Sequence, residues 1–122
     1  MDEKQKVFDY INSHNEDIIG FLKDYIKIPS INNGLGGSGQ EKEVQDWLAK
    51  SLGKFGFKID KIAVDPEKKR PNVVAVYQGE GSGKGLILNG HSDTVEIKEP
   101  EKWSSDPFDP IIKDGKLYGR GA

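Results

Sequence analysis

The chain has no cysteine. Disulfides and thiolate metal sites are therefore excluded, and any metal would have to be held by His, Asp, Glu or backbone oxygen. Histidine is scarce as well, with His14 and His91 the two available. Long apolar runs are missing: none approaches the ~20 residues of a membrane-spanning helix, so no membrane partner is expected. The opening, Met1-Asp2-Glu3-Lys4-Gln5-Lys6, lacks the apolar core of a signal peptide. Charge of one sign is not in excess. The formal net charge is −2, with lysines and acids interspersed, which gives no reason to expect a nucleic-acid partner. A cytoplasmic location fits these absences.

What is present describes a globular chain with a wet surface. The 122 residues suffice for one domain and a modest core that buries roughly 65% of the unfolded surface. Fifteen glycines are many for this length, and they cluster between apolar segments. No internal repeat or domain boundary is visible.

The N-terminal part reads as helical. Val7, Tyr10 and Ile11 share one face. Ser13 and Glu16 form the pattern of a capping box, in which the hydroxyl and the carboxylate satisfy each other's orphan amides. Ile18, Phe21, Leu22, Tyr25 and Ile26 continue at helical spacing, and Pro29 predicts a stop at Ile28. Gly20 weakens this helix by up to ~1 kcal/mol. A glycine-rich loop, Ile31 to Gly39, precedes a second capping box, Ser38 with Glu41. Val44, Trp47, Leu48, Leu52 and Phe55 then form an apolar stripe, and Gly56 is a natural left-handed terminator.

Strand signals follow. Phe57 to Val64 alternates but slips at Asp60-Lys61, which predicts a bulge. Lys68-Lys69-Arg70-Pro71 reads as a solvated turn. Asn72 to Tyr77 is a continuous apolar run, as expected of a strand covered on both faces. Gly79 to Gly85 is a turn into the next predicted strand, Leu86 to Asn89. Pro100 to Pro110 is irregular. Ile111 to Tyr118 carries Asp114-Gly115 between apolar pairs, a strong hairpin signal.

Two glycine clusters mimic phosphate-binding loops and fail. Gly34-Leu35-Gly36-Gly37-Ser38-Gly39 matches GxGxxG, but a helix precedes it where the dinucleotide motif requires a strand. Gly83-Lys84 has no Ser or Thr after the lysine. His14 reads as a surface histidine, Trp47 as core, and Trp103 as a pin for the long loop together with Pro107 and Phe108. Glu96, Glu99, Glu101, Asp106 and Asp109 read as a solvated acidic run.

His91 and Asp93 carry more chemistry. They end the apolar run Leu86 to Asn89. A neutral imidazole binds a divalent cation through one nitrogen, and its other N–H needs an acceptor that fixes the tautomer. A carboxylate two residues on can curl toward that nitrogen. The bland alternative is a histidine capping a strand end and an aspartate opening a turn.

Three ordered motifs resemble one known family. Gly85 to Val95 (GLILNGHSDTV), Trp103 to Phe108 (WSSDPF) and Asp114 to Ala122 (DGKLYGRGA) are similar to segments of the acetylornithine deacetylase, succinyl-diaminopimelate desuccinylase and aminoacylase family of zinc peptidases. The amphipathic N-terminal helices and Ile28-Pro29-Ser30 also fit its start, so the resemblance covers most of the chain. It implies an α/β fold, the N-terminal part of a three-layer αβα sandwich with a mixed sheet, zinc-exopeptidase-like. It implies a divalent metal cofactor, two zinc ions in the whole enzyme, with cobalt as a substitute. His91 matches a histidine ligand of one metal. Asp93 matches the carboxylate that orients it and is counted with the catalytic residues. The implied reaction is hydrolysis of a small N-acyl amino acid or peptide substrate, in a homodimer.

In that family a bridging aspartate follows the Gly-Arg-Gly-Ala run, and the other ligands and a glutamate base come later. The sequence ends at Ala122. Residues 1–122 are therefore expected to be the N-terminal portion of one catalytic domain, inactive and marginally stable alone. The alternative is a self-sufficient small α/β binding module without catalysis.

Overall fold

Among the described residues, side-chain order in the sequence translates into three helices and two strand pairs. The structure, a computed structural model, describes residues 2–32, 34, 41–65, 67 and 70–122. The elements are α1 (Glu3–Ser13), α2 (Asn15–Ile26), α3 (Glu41–Lys54), β1 (Lys58–Ala63), β2 (Pro71–Val76), a 3-10 turn (Pro100–Lys102), β3 (Ile111–Lys113) and β4 (Lys116–Tyr118). The expected α/β class holds. Both ladders are antiparallel, and one isolated parallel bridge joins Ile31 and Thr94. The chain divides into two compact units, Ile28–Pro100 and Met1–Lys27 with Glu101–Ala122. Residues 35–40, which hold most of the GxGxxG look-alike and the Ser38 cap, lie outside the described residues, as do Lys68 and Lys69 of the expected turn.

In Ile28–Pro100, α3 packs on β1 and β2. The predicted stripe is real at its N-terminal end: Val44 is 1% exposed, and burying a valine fully is worth about 1.5–3 kcal/mol. Trp47, Leu48 and Leu52 are half-buried, whereas Phe55 lies past the helix end and is exposed. Gly56 terminates the helix as predicted, with φ +84°. The Phe57 amide reaches back to the Leu52 carbonyl at 3.4 Å and the Gly56 amide to that of Gly53 at 3.1 Å. Lys61 Nζ on β1 donates to Asp46 Oδ1 on α3 at 2.7 Å.

Two strand expectations need correction here. The register between β1 and β2 runs unbroken through Asp60↔Val74 and Lys61↔Val73, so there is no bulge. The slip in the pattern arises because this strand exposes Asp60, Lys61 and Ile62 together. β2 is covered on one face, not both: Pro71, Val73 and Ala75 are half-buried while Asn72, Val74 and Val76 are exposed. One helix supplies one cover.

The predicted strand Leu86 to Asn89 has no ladder partner among the described residues. Leu86, Ile87 and Leu88 are 82%, 90% and 87% exposed. An apolar run specifies a buried strand only when a neighbour offers its backbone.

In the other unit, Asp2 caps α1 by accepting from the Lys4 amide at 3.3 Å. The Ser13 capping box does not form. Ser13 is the last residue of α1 and donates its hydroxyl back to the Tyr10 carbonyl at 2.9 Å. His14 stands at the start of α2 instead, with no side-chain cap. The helix ends at Ile26, two residues before the predicted stop, and Ile26 is its buried residue. β3 and β4 form the predicted hairpin, with Asp114 at φ +51° and Gly115 at φ +72°. Two successive positive φ values are what a type I′ turn requires.

Candidate functional site

The local sequence places His91 and Asp93 two residues apart on one irregular segment. His91 Nδ1 lies 3.1 Å from Asp93 Oδ1 and 3.0 Å from the Asp93 carbonyl oxygen. A proton on Nδ1 serves both acceptors. Nε2 is then the lone-pair nitrogen, and the His91 side chain is 84% exposed. The arrangement can offer one oriented imidazole nitrogen to an electrophile or cation.

This segment is anchored from two sides. Ser30 Oγ donates to the Ser92 carbonyl at 2.5 Å. The Thr94 amide donates to the Ser30 carbonyl at 3.0 Å, and the Asn32 amide to that of Thr94 at 2.9 Å. From α3, Gln45 Nε2 donates to Ser92 Oγ at 2.7 Å. Neither Ser30 nor Gln45 was marked as a site residue by the sequence, because each is far from Ser92 along the chain. Ser30's burial, at 4% exposure, is visible only in three dimensions.

Beside Ser92 lies a cavity of about 300 Å³, bordered by Glu41, Gln45, Arg70 and Asn72. Arg70 Nη2 donates to Glu41 Oε1 at 2.8 Å, and the Glu41 side chain is 7% exposed. This ion pair ties the start of α3 to the residue before β2. Such a pair, once formed, is strongly destabilising to break, because one charge would be left buried alone.

The residues present fit one ligand position of a metal centre. The donor chemistry is right, a neutral imidazole with an acidic partner. Among the described residues no three His, Asp or Glu side chains gather as a cation site, whereas catalytic zinc takes three protein ligands. His14 stays apart from such chemistry. Its Nδ1 lies 2.8 Å from the Tyr10 carbonyl oxygen and its ring stacks on Tyr10 at 4.0 Å. Trp103 meets the Arg120 guanidinium at 5.0 Å from its ring centre, while the Arg120 amide donates to the Pro107 carbonyl at 2.7 Å. Trp103 and Pro107 of the long loop are thus tied together through contacts with Arg120 rather than with a sheet. Among the described residues no helix is long and apolar enough to cross a membrane.

Residues 87–122, which include His91 and Asp93, match the model of peptidase family M20/M25/M40. The chain is 41% identical over 118 residues to N-formyl-4-amino-5-aminomethyl-2-methylpyrimidine deformylase of Bacillus subtilis (strain 168), covering 92% of this chain and 26% of that protein. It is 44% identical over 81 residues to succinyl-diaminopimelate desuccinylase of Polynucleobacter necessarius subsp. necessarius (strain STIR1), covering 64% of this chain and 21% of that protein. Among solved structures, human carnosine dipeptidase 1 superposes with a TM-score of 0.81 at 24% identity, over 97% of this chain and 27% of the other. The chain therefore spans about a quarter of the length of these relatives.

Proposed function

We propose that this chain, whose residues 87–122 match the model of peptidase family M20/M25/M40, forms the N-terminal portion of the catalytic domain of a metal-dependent amidohydrolase of that family. The observation that carries this reading is the His91–Asp93 contact, 3.1 Å between Nδ1 and Oδ1, on an irregular stretch inside the matched segment. In this reading His91 is a metal ligand through Nε2. Asp93 accepts the Nδ1 proton and holds the ring in one tautomer.

The cation, zinc with cobalt as a substitute and two ions in the whole enzyme, would act as a Lewis acid toward an acyl carbonyl. This chain's own contribution is to present one nitrogen in a fixed direction. No described residue takes the general-base role. The substrate class is a small N-acyl amine, such as an N-acyl amino acid, or a short peptide. The relatives named for removing formyl and succinyl groups support this class. A homodimeric whole protein in the cytoplasm completes the proposal.

The test is made on the full gene product. Zinc affinity and hydrolysis of N-formyl, N-acetyl and N-succinyl substrates are measured before and after chelation, in wild type and His91→Ala. Loss of an outer partner alone typically costs roughly 10–100-fold in metal affinity, so loss of the ligand is expected to exceed that range. Wild-type zinc affinity in His91→Ala would overturn the assignment.

A further inference from the structure

We infer that Ser30 and Gln45 are positioning residues that aim the His91 imidazole by clamping Ser92 between His91 and Asp93. This deepens the proposed role of His91 as a metal ligand and rests on it.

The geometry of the clamp is complete around one residue. Ser30 Oγ donates to the Ser92 carbonyl at 2.5 Å, and Gln45 Nε2 donates to the Ser92 hydroxyl at 2.7 Å. Main chain and side chain of Ser92 are therefore held separately, one by the segment after α2 and the other by α3. The next residues are held too, through the Thr94 amide on the Ser30 carbonyl at 3.0 Å and the parallel bridge Ile31↔Thr94. His91 itself is 84% exposed and makes its polar contacts only with Asp93 among the described residues. An exposed ring has no packing to orient it. Its direction follows from the backbone at 91–93, which Ser30 holds directly at the Ser92 carbonyl and Gln45 restrains through the Ser92 side chain.

The alternative is that the two contacts serve folding alone. Burial of Ser30, at 4% exposure, gives its hydroxyl a structural reason to find an acceptor. Gln45 does not share that reason. It is half-buried, yet its amide donates to Ser92.

The experiment uses the full gene product with Ser30→Ala, Gln45→Leu, the hydroxyl-retaining Ser30→Thr, and His91→Ala as reference. The first readout needs no metal. Nitrogen-15 NMR of the neutral imidazole reports which ring nitrogen of His91 carries the proton. Wild type is expected to hold the proton on Nδ1, while Ser30→Ala and Gln45→Leu give a mixture of tautomers. The second readout is the zinc dissociation constant, expected to rise about tenfold in each of these two variants and to return toward wild type in Ser30→Thr. Melting of the metal-free protein is recorded beside both. If Ser30→Ala does not fold, Gln45→Leu decides alone.

An unchanged tautomer and a zinc constant within twofold of wild type in Gln45→Leu would overturn the inference while leaving His91 a ligand. Wild-type zinc binding in His91→Ala would instead overturn the underlying reading, and the inference with it.

Discussion

Two apolar runs of this chain carry similar residues and end in different states. Ile111 to Tyr118 folds into a ladder of three residue pairs. Leu86 to Asn89 is more apolar, yet it pairs with nothing among the described residues and leaves three large aliphatic side chains more than 80% exposed. The difference is where the partner comes from. The hairpin carries its own, two residues away across Asp114-Gly115, at a negligible loop-closure cost. The lone run needs a strand from elsewhere, and hydrophobicity alone does not supply backbone hydrogen bonds. A hydrophobic pattern states what a segment would bury; only a turn or a neighbour states against what.

The hairpin's exit offers the largest test of this contrast. A Cβ at Gly119 would lie 2.9 Å from Ile26 Cγ2, 3.2 Å from Pro110 Cβ and 3.4 Å from the Pro107 carbonyl oxygen. Ile26 is 4% exposed and β-branched, so it has little freedom to yield. Gly119→Ala is therefore expected to destabilise the protein by about 1–3 kcal/mol, read as a lower denaturation midpoint. A neutral result would show that the segment after the hairpin is not packed on α2, and the local hairpin would then stand on its turn alone.

The same rule decides what was legible beforehand. Asp114-Gly115, Gly56 and the helical spacing of Ile18 to Ile26 encode their structure within a few residues, and each appears where the pattern puts it. The His91–Asp93 contact belongs to this class, being two residues long. Signals that compete locally were misread. Ser13 fits a capping box by spacing, but its hydroxyl has a nearer acceptor in the Tyr10 carbonyl. Asp60-Lys61 breaks the alternation without breaking the ladder, because that strand leaves three neighbours in water. Features that join distant segments were not legible at all. Ser30 and Gln45 meet Ser92 across 62 and 47 residues, and no spacing rule reaches that far.

A smaller test concerns a long-range tether of the kind Leu86–Asn89 lacks. Asp46 on α3 accepts from Lys42 and, at 2.7 Å, from Lys61 on β1. These hydrogen bonds, Lys42 first and Lys61 second, hold its carboxyl below the ordinary value of 3.8, against an opposing burial effect. Because the folded pKa is depressed, the contribution is present above the unfolded value and is lost as pH falls through the folded one. The side chain is 37% exposed, so solvent screening limits the effect. Asp46→Asn is expected to cost no more than about 0.5 kcal/mol at neutral pH. Its deficit relative to wild type should close in acid below pH 3.8 and shrink in high salt. A deficit that persists undiminished in acid would assign the effect to packing of the side chain.

The smallest expected effect is the most discriminating. Ile87 is 90% exposed, so the folded chain removes almost none of its side chain from water. Burial is what makes an isoleucine stabilising; an exposed one has little to lose. In the 122-residue chain, Ile87→Thr is therefore expected to change stability by less than about 0.5 kcal/mol. Amides of Leu86 to Leu88 should exchange with solvent faster than those paired in the β3–β4 hairpin, since no ladder protects them. A loss above about 1 kcal/mol, in the range of buried-core changes such as Ile→Val, would mean that the run is packed in solution. The contrast between the two apolar runs would then vanish. A null result leaves the aim of His91 to the contacts on Ser92, which is where the tautomer measurement looks for it.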